Sequence, residues 1–251
     1  MHPILFKLGP LEIRVYGLLV AIAFLTAIYL ASMLAKKRGY KEDVILDLGL
    51  VIIISSVIGA RLLYVIVWWK YFAAHPLEIL KVWEGGLVFY GGLIGAFIGG
   101  IAWIRHKKLP VLDIADMCVP FVALAHAIGR IGCYFNGCCY GAVSEHCGVI
   151  FPTIGDSLKH YPTQLYESVL NFLNFVILIL FFRNTKRKTG DVVFMYSFNY
   201  GVIRMCMEFF RGDPERGFIL NMSTSQFISI FLIVIGIAGF IYLRVKKQKA
   251  V

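Results

Sequence analysis

The 251-residue chain is 59% hydrophobic and only 16% charged, with a mean hydropathy of +0.76. This composition excludes a soluble globular domain of this size. The formal net charge of +10 does not indicate nucleic acid, because the lysines and arginines fall between apolar segments rather than along one face. We therefore expect an all-α polytopic membrane protein that contacts membrane lipid and has no nucleic-acid partner.

Seven apolar segments, each of roughly the length needed to cross a bilayer as a helix, follow one another along the chain. They lie at 17–35, 44–67, 87–104, 111–129, 165–182, 191–210 and 224–243. The strongest positive cluster follows the first segment without a small-residue cleavage site before it, so we interpret that segment as a retained span rather than a signal peptide. Because no long linker interrupts the chain, residues 1–251 are predicted to form a single integral membrane domain.

Positive charge alternates between the loops. Fifteen of the 25 lysines and arginines fall in every second loop, at 36–41, 105–108, 183–188 and 244–249. Short cytoplasmic loops are enriched in positive charge. The pattern therefore predicts an N-terminus outside the cell and a C-terminus in the cytoplasm.

Two segments on the outer side are longer than simple turns. Residues 68–86 mix tryptophan, tyrosine and phenylalanine with charged residues, which is typical of chain lying in the headgroup layer. Residues 131–164 combine glycine, cysteine, proline and polar residues with little helical periodicity. We expect an interfacial arm at 68–86 and a small external cap at 131–164.

Three arginines, Arg61, Arg130 and Arg204, lie within or at the ends of apolar segments. A guanidinium stays charged in a protein, so at membrane depth it requires an anion or a carboxylate. Arg130 opens a glycine-rich block whose backbone amides are candidate anion donors. Asp116 is about four helical turns away, so the partner of Arg130 must come from another span or from an external anion.

Other polar side chains follow the apolar segments at helical spacing. Those of Tyr200, Arg204, Glu208 and Arg211 share one face of the sixth segment, where the Arg204–Glu208 pair either fixes helix packing or serves function. His126 lies one turn before Arg130, although a lone histidine is more often a packing residue. In the fifth segment, Gln164 and Glu167 either hold an arginine from a neighbouring span or orient a substrate headgroup.

Four cysteines cluster on the outer side, at positions 133, 138, 139 and 147. An oxidising compartment could join them, or a soft metal could bind there. No C-x-x-C pair is present, so the spacing does not predict a zinc site. A disulfide between Cys147 and one of the other three cysteines is plausible. We expect no metal and no cofactor. The chain carries no phosphate-loop, dinucleotide or serine-nucleophile motif. The nucleophile is therefore expected to come with the substrate.

Six motifs together resemble prolipoprotein diacylglyceryl transferase, nearly end to end. They are Tyr16-Gly17, Gly59-Ala-Arg61, the segment 89–95, the block 130–141, the segment 161–167 and the segment 200–211. The resemblance implies transfer of the diacylglyceryl group from phosphatidylglycerol to the lipobox cysteine in the signal peptide of a preprolipoprotein. A thioether forms and glycerol phosphate leaves, at the bacterial cytoplasmic (inner) membrane.

The resemblance also implies roles for individual residues. The catalytic candidates are Arg130, Arg204, Tyr90 and His126. The substrate-binding candidates are Arg130, Tyr16, Arg61, Asn136, Gly141, Gln164, Glu167, Tyr200, Glu208 and Arg211. The two catalytic arginines would hold the phosphodiester and stabilise the charge that grows as the carbon–oxygen bond breaks.

This chain departs from the best-known members of that family. Tyr90 and Tyr161 stand where those members have histidine, and Cys133 and Cys138 stand where they carry Asn and Glu. A tyrosine, with an ordinary pKa of about 10, is a poor general base near neutral pH. We therefore hypothesise that His126 and His160 have taken over proton transfer.

Two further functions are compatible with the polar residues. One is a membrane carrier or binder of an anionic lipid or solute, against which stand the odd number of spans and the missing inverted repeat. The other is a divergent transferase that uses another phospholipid or another thiol acceptor.

Overall fold

A computed structural model describes residues 4–8, 11–145, 148–184, 187–212, 218–219 and 222–248. The described residues form eight α-helices: α1 Val15–Lys37, α2 Asp43–Val67, α3 Trp69–Ala74, α4 Phe89–His106, α5 Val111–Asn136, α6 Thr163–Phe182, α7 Asp191–Glu208 and α8 Thr224–Gln248. Six short strands pair antiparallel, in order of the chain: β1 Ile4–Leu8 with β2 Leu11–Arg14, β3 Val149–Ile150 with β4 Lys159–His160, and β5 Phe218–Ile219 with β6 Met222–Ser223.

Every one of the seven predicted apolar segments coincides with a helix. Among the described residues, five helices are long and apolar enough to cross a membrane: Val15–Lys37, Asp43–Val67, Val111–Asn136, Thr163–Phe182 and Thr224–Val245. The other two, α4 and α7, have 18 residues each. Several of the α4 positions are glycines, and α7 carries Asp191, Arg204 and Glu208. The prediction of an all-α polytopic membrane protein is confirmed.

The chain forms two compact units. The large unit comprises Met1–Leu30 and Ala115–Val251, and the small unit comprises Ala31–Ile114. The large unit therefore contains most of α1 and α5 together with all of α6, α7 and α8. The small unit contains α2, α3 and α4.

In the small unit, α2 and α4 approach so closely that their backbones touch at glycines. A Cβ atom on Gly91 would overlap the carbonyl oxygen of Gly59, and one on Gly95 would overlap the carbonyl oxygen of Ser55. Small residues permit this approach, which is how helices associate where lipid removes the hydrophobic drive for packing.

The predicted interfacial arm consists of α3 followed by two 3-10 turns, Pro76–Leu80 and Val82–Glu84. Arg61 on α2 fastens this segment. Its Nε donates to the Ile79 carbonyl at 2.9 Å, its Nη1 to the Gly85 carbonyl at 2.9 Å and its Nη2 to the Glu78 carbonyl at 2.5 Å. The guanidinium thus binds three carbonyl groups of the irregular arm, which adds to the hydrogen bonding of its backbone.

In the large unit, Asp116 on α5 binds the start of α7. Its carboxylate accepts from the backbone amides of Gly190 at 2.7 Å and Val193 at 2.9 Å, and it pairs with Arg187 at 3.0 Å. A carboxylate at a helix N-terminus satisfies free amides and favours the helix dipole. Asp116 is therefore committed to the joint between α5 and α7.

Residues 131–136, where the external cap is expected to begin, are the last turns of α5. The drop in hydropathy at Arg130 ends the apolar segment but not the helix, because backbone hydrogen bonding does not require apolar side chains. Irregular chain with the β3–β4 pairing then runs to the start of α6 at Thr163. Phe151 is fully buried there, with its ring 6.0 Å from that of Tyr134 and 5.9 Å from that of Tyr140.

Candidate active site

Four charged side chains from three helices meet inside the large unit, and we call them the arginine cluster: Arg130 on α5, Glu167 on α6, and Arg204 and Glu208 on α7. Glu167 Oε2 lies 2.5 Å from Arg130 Nη2 and 3.6 Å from Arg204 Nη1. Arg204 Nη2 lies 3.2 Å from Glu208 Oε2. Both carboxylates are buried. The partner of Arg130 thus comes from another span, as the sequence required.

Polar contacts between helices set this arrangement. Ser168, next to Glu167, donates its hydroxyl to the Ala127 carbonyl of α5 at 2.8 Å. Deeper in the helices, Asn199 of α7 donates to the side-chain oxygen of Asn174 on α6 at 2.9 Å. Because such bonds are directional, they fix the rotation and register of α6 against both neighbours.

The cluster retains capacity to bind an anion. Arg130 is 9% exposed, and its buried Nε has no hydrogen-bond partner among the described residues. Buried donors in native proteins are nearly always satisfied. Arg204 is more open, with 14% of its side chain exposed, and donates to Ser225 Oγ at 2.7 Å.

His126 and Tyr200 lie against the same carboxylate. His126 Nε2 is 3.5 Å from Glu167 Oε1, and the imidazole ring is 5.2 Å from the ring of Tyr200. Tyr200 in turn stacks on Tyr196 at 5.8 Å. His126 is partly exposed, with 26% of its side chain accessible, so it combines an acidic neighbour with access from outside the protein interior.

Three thiols, Cys133, Cys138 and Cys139, come together beside Arg130, and we call them the trithiol cluster. Their Sγ atoms lie within 4.8 Å of one another, and Arg130 Nη1 is 3.8 Å from Cys133 Sγ. The adjoining thiols of Cys133 and Cys138 lower the pKa of Cys139. The sequence predicted that these cysteines lie on the same outer side, but their spacing did not indicate that the three sulfur atoms meet, because a turn after α5 brings them together.

All three cysteines of the trithiol cluster are free thiols. The predicted disulfide partner, Cys147, lies outside the described residues. The pairing of Cys147 with one of the three therefore stays a prediction.

The start of α6 holds the turn that carries Cys138 and Cys139. Gln164 Nε2 donates to the Cys138 carbonyl at 2.8 Å, and Thr163 Oγ1 donates to the Cys139 carbonyl at 2.9 Å. Both side chains are fully buried. Of the two roles that the sequence left open for Gln164 and Glu167, this geometry favours fixing neighbouring elements.

Two other predicted residues lie at the edges of the trithiol cluster. Tyr16 of α1 packs against α5 at Gly132, where a Cβ atom on the glycine would lie 3.2 Å from Tyr16 Cδ2. Asn136 is the last residue of α5 and is half-buried. Both residues therefore lie at the end of α5 that carries the trithiol cluster.

Gly141 is tightly enclosed rather than open to an anion. Its amide donates to the Tyr161 carbonyl at 2.9 Å, and a Cβ atom would lie 2.7 Å from the Phe210 carbonyl oxygen. Its backbone also pairs with that of Arg211. This geometry favours a packing role for Gly141, which joins the segment after α5 to the end of α7.

His160 is buried with both ring nitrogens engaged. Nδ1 is 3.0 Å from the Gly141 carbonyl and Nε2 is 3.2 Å from Asp156 Oδ2. A base needs a free ring nitrogen that the substrate proton can reach. The geometry therefore favours His126 over His160 for proton transfer.

Tyr90 and Arg61 belong to the small unit. Tyr90 is the second residue of α4, is 44% exposed, and has its ring 5.7 Å from that of Phe89. Arg61 directs its donors to the carbonyls of the arm. Their predicted contacts with substrate stay predictions.

Sequence reasoning missed Ser225 and the grouping of the thiols. Ser225 lies in the first turn of α8 and fixes Arg204, but a single serine at a helix start carries no signal of that role. For the thiols, the one available signal was the left-handed turn that Gly137 favours after a helix end.

The comparisons with known proteins agree on one family. A family model described as prolipoprotein diacylglyceryl transferase matches residues 3–242. The chain is 42% identical to the phosphatidylglycerol–prolipoprotein diacylglyceryl transferase of Clostridium tetani, over 99% of this chain and 100% of that protein. It is 36% identical to the protein so named, with the number 2, of Clostridium perfringens, over 99% of this chain and 98% of that one.

Proposed function

Because the chain belongs to the prolipoprotein diacylglyceryl transferase family, we propose that its arginine cluster binds the phosphodiester of phosphatidylglycerol during transfer. The chain is a transferase that moves the diacylglyceryl group from phosphatidylglycerol to a prolipoprotein. The observation that carries the proposal is the convergence of Arg130 and Arg204 on one oxygen of Glu167. Two guanidinium groups from different helices are thereby held close enough to contact one phosphate.

The acceptor is the thiol of the lipobox cysteine. Its sulfur attacks the glyceryl carbon next to the phosphate, the carbon–oxygen bond breaks, and glycerol phosphate leaves with the electron pair. Negative charge on the phosphate increases in that step, and fixed guanidinium donors stabilise it without reorganisation. Arg130 and Arg204 supply those donors. Glu167 keeps both guanidinium groups in position before the lipid binds.

The acceptor thiol, with an ordinary pKa of about 8.5, must lose its proton to become a strong nucleophile. We assign this proton to His126, whose Nε2 lies 3.5 Å from Glu167 Oε1. The neighbouring carboxylate would stabilise the imidazolium once it forms. Tyr200 would then donate a hydrogen bond to phosphate rather than accept the proton.

We assign supporting roles to the remaining predicted residues. Tyr16 and Asn136 would border the headgroup at the trithiol end of the large unit, while Gln164 holds the Cys138 carbonyl. Glu208 and Ser225 hold Arg204, so they act through it. Arg61 would act through the arm that it fastens, and Arg211 through the backbone pairing with Gly141.

For topology, we propose that α4 and α7 also span the membrane, giving seven spans, and that the N-terminus and the 131–164 cap lie outside. The alternation of positive loops supports this orientation. A reporter active only outside the cytoplasm should be silent when fused at residue 107 and active when fused at residue 75. Reporter activity at residue 107 together with silence at residue 75 would mean that the orientation is reversed. Equal activity of the two fusions would mean that α4 does not span the membrane.

The proposal is tested by mass spectrometry of a lipobox peptide incubated with purified protein and phosphatidylglycerol. We expect a diacylglyceryl adduct on the peptide cysteine, lost in Arg130→Ala and strongly reduced in Arg130→Lys, because an ammonium cannot reproduce the planar fork of donors. The matched control is Arg244→Ala, which removes an arginine paired with Asp191 far along α8. No adduct from folded wild-type protein, or full activity in Arg130→Ala, would contradict the proposal.

A further inference from the structure

We propose that the trithiol cluster binds one soft divalent cation, represented by Zn²⁺, and leaves its fourth coordination position open to the acceptor thiol. Cysteine thiolates are the preferred ligands of such ions. Three sulfur atoms bound to one Zn²⁺ at about 2.3 Å lie about 3.8 Å apart. Those of Cys133, Cys138 and Cys139 already lie within 4.8 Å of one another, so binding requires only small side-chain movements.

The backbone is shaped for this grouping. After the last turn of α5, the amide of Cys138 donates to the Cys133 carbonyl at 3.2 Å, while Gly137 and Cys139 have positive φ angles of 70° and 63°. A residue other than glycine is uncommon in that region. Cys139 is held there by its surroundings, which is typical of a functional position.

Three side chains outside the cluster bind the backbone of the turn that carries the thiols. Thr163 and Gln164 bind the carbonyls of Cys139 and Cys138, and Thr153 Oγ1 donates to the Gly137 carbonyl at 2.9 Å. Such outer contacts orient metal ligands and raise affinity. The turn is therefore fixed at three successive residues before any ion binds.

Charge and access also suit a cation with an exchangeable ligand. Three thiolates and a divalent cation carry one net negative charge, which Arg130 offsets from 3.8 Å. All three cysteines are only partly buried. A fourth ligand can therefore reach the ion from outside, as in catalytic rather than structural zinc sites.

The role of the open position rests on the proposed function. The acceptor thiol would bind the ion as a thiolate, since a coordinating thiol is deprotonated, and its proton would pass to His126 as in the proposed function. Its sulfur then forms the bond to the glyceryl carbon as the carbon–oxygen bond breaks, and the electron pair leaves on glycerol phosphate. No redox change occurs. Cys133 lies one helical turn from Arg130 on the same face of α5, so thiol and phosphate would be bound side by side.

Binding is tested with the metal alone. Reduced, metal-free protein is titrated with Co²⁺, and we expect one ion per chain, sulfur-to-cobalt charge-transfer absorption, and displacement by Zn²⁺. Cys139→Ser should weaken binding more than about tenfold, since even outer contacts contribute about 10–100-fold. Cys133→Ser gives an independent second test. The matched control is Cys206→Ser, an exposed free thiol on α7, which should bind like wild type.

The open position is tested by adding a lipobox peptide to the Co²⁺ protein. A peptide with one cysteine should change the visible spectrum, and the same peptide with serine should not. Binding equal in Cys139→Ser and wild type, or a disulfide within the cluster in freshly purified protein, would overturn the site. Unchanged spectra with the cysteine peptide would overturn its role in acceptor binding.

These measurements use no phospholipid. Loss of the proposed function would therefore appear as a failure of peptide modification with metal binding intact. Loss of the site would appear as an absence of metal binding, whatever the transferase assay gives.

Discussion

One carboxylate oxygen of Glu167 lies 2.5 Å from Nη2 of Arg130, and the same oxygen lies 3.6 Å from Nη1 of Arg204. The carboxylate on α6 thus neutralises charge on both α5 and α7. Removing one partner of a buried ion pair leaves an uncompensated charge, which is strongly destabilising. The same residue therefore connects the stability of the large unit with the position of the two guanidinium groups that we propose bind phosphate.

Glu167→Gln, which keeps the shape of the side chain but removes its charge, should lower the free energy of unfolding by about 3–5 kcal/mol. Transfer activity should also fall, because both guanidinium groups lose their orientation. Unfolding is measured by denaturant titration in mixed micelles and activity with the lipobox peptide. The matched control is Glu12→Gln, whose exposed pair with Lys7 at 2.6 Å should make no measurable difference. Equal effects of the two substitutions would contradict this prediction.

The close contact of α2 and α4 should be intolerant of a single methyl group. Gly95→Ala places a Cβ atom on the Ser55 carbonyl of α2 and should reduce stability by about 1–3 kcal/mol through overpacking. Gly100→Ala on the same helix is the control, because its Cβ atom would lie 3.5 Å from Ile52 Cγ1. That substitution should be neutral or slightly stabilising, since alanine favours the helix. Thermal unfolding of both variants distinguishes the two outcomes.

Much of the fold could be predicted from hydropathy alone. Apolar runs long enough to cross a bilayer located all seven long helices, and α4 was predicted at 87–104 against an observed Phe89–His106. The end of α5 could not be found in this way, because Arg130 interrupts the apolar run while the helix continues to Asn136. Helix ends depend on local hydrogen bonding, which hydropathy does not report.

The candidate site was predictable in its members but not in its pairings. Intramembrane charge identified Arg130, Arg204 and Glu208 as important, since such residues rarely occur without a role. One of the two roles left open for Glu167 was to hold an arginine from a neighbouring span, but which arginine it would meet depended on the packing of α6 against α5 and α7. The approach of the three sulfur atoms in the trithiol cluster was not predicted for a similar reason. It depends on the backbone conformation at Gly137 and Cys139.

Stability should depend on alkaline pH through Tyr40 in the small unit. Its hydroxyl donates to Asp113 Oδ2 at 2.7 Å, and burial together with this hydrogen bond raises the pKa of Tyr40 to about 12. The neutral form is thus favoured in the folded state, so its contribution to stability is present below pH of about 10 and is lost as the pH rises to about 12. Tyr40→Phe should be less stable than wild type at pH 8.

The difference between wild type and Tyr40→Phe is followed by unfolding measurements at increasing pH. It should shrink between pH of about 10 and 12 and then vanish. Tyr29→Phe is the matched control, since Tyr29 is exposed on α1 and its loss should leave the profile unchanged. A constant difference across this range would show that the hydroxyl proton of Tyr40 is not the stabilising group.

The stability of the folded arm at 68–86 should depend on the shape of the Arg61 side chain rather than on its charge alone. Its three nitrogens reach the carbonyls of Glu78, Ile79 and Gly85, and its guanidinium lies 5.2 Å from the centre of the Phe72 ring. A lysine has one compact ammonium and cannot serve all these acceptors together. Arg61→Lys should therefore speed hydrogen exchange of the amides between residues 76 and 86, while Arg105→Lys, an exposed change in the same unit, should not. Unaltered exchange in Arg61→Lys would mean that the aromatic contacts of the arm hold it without the guanidinium.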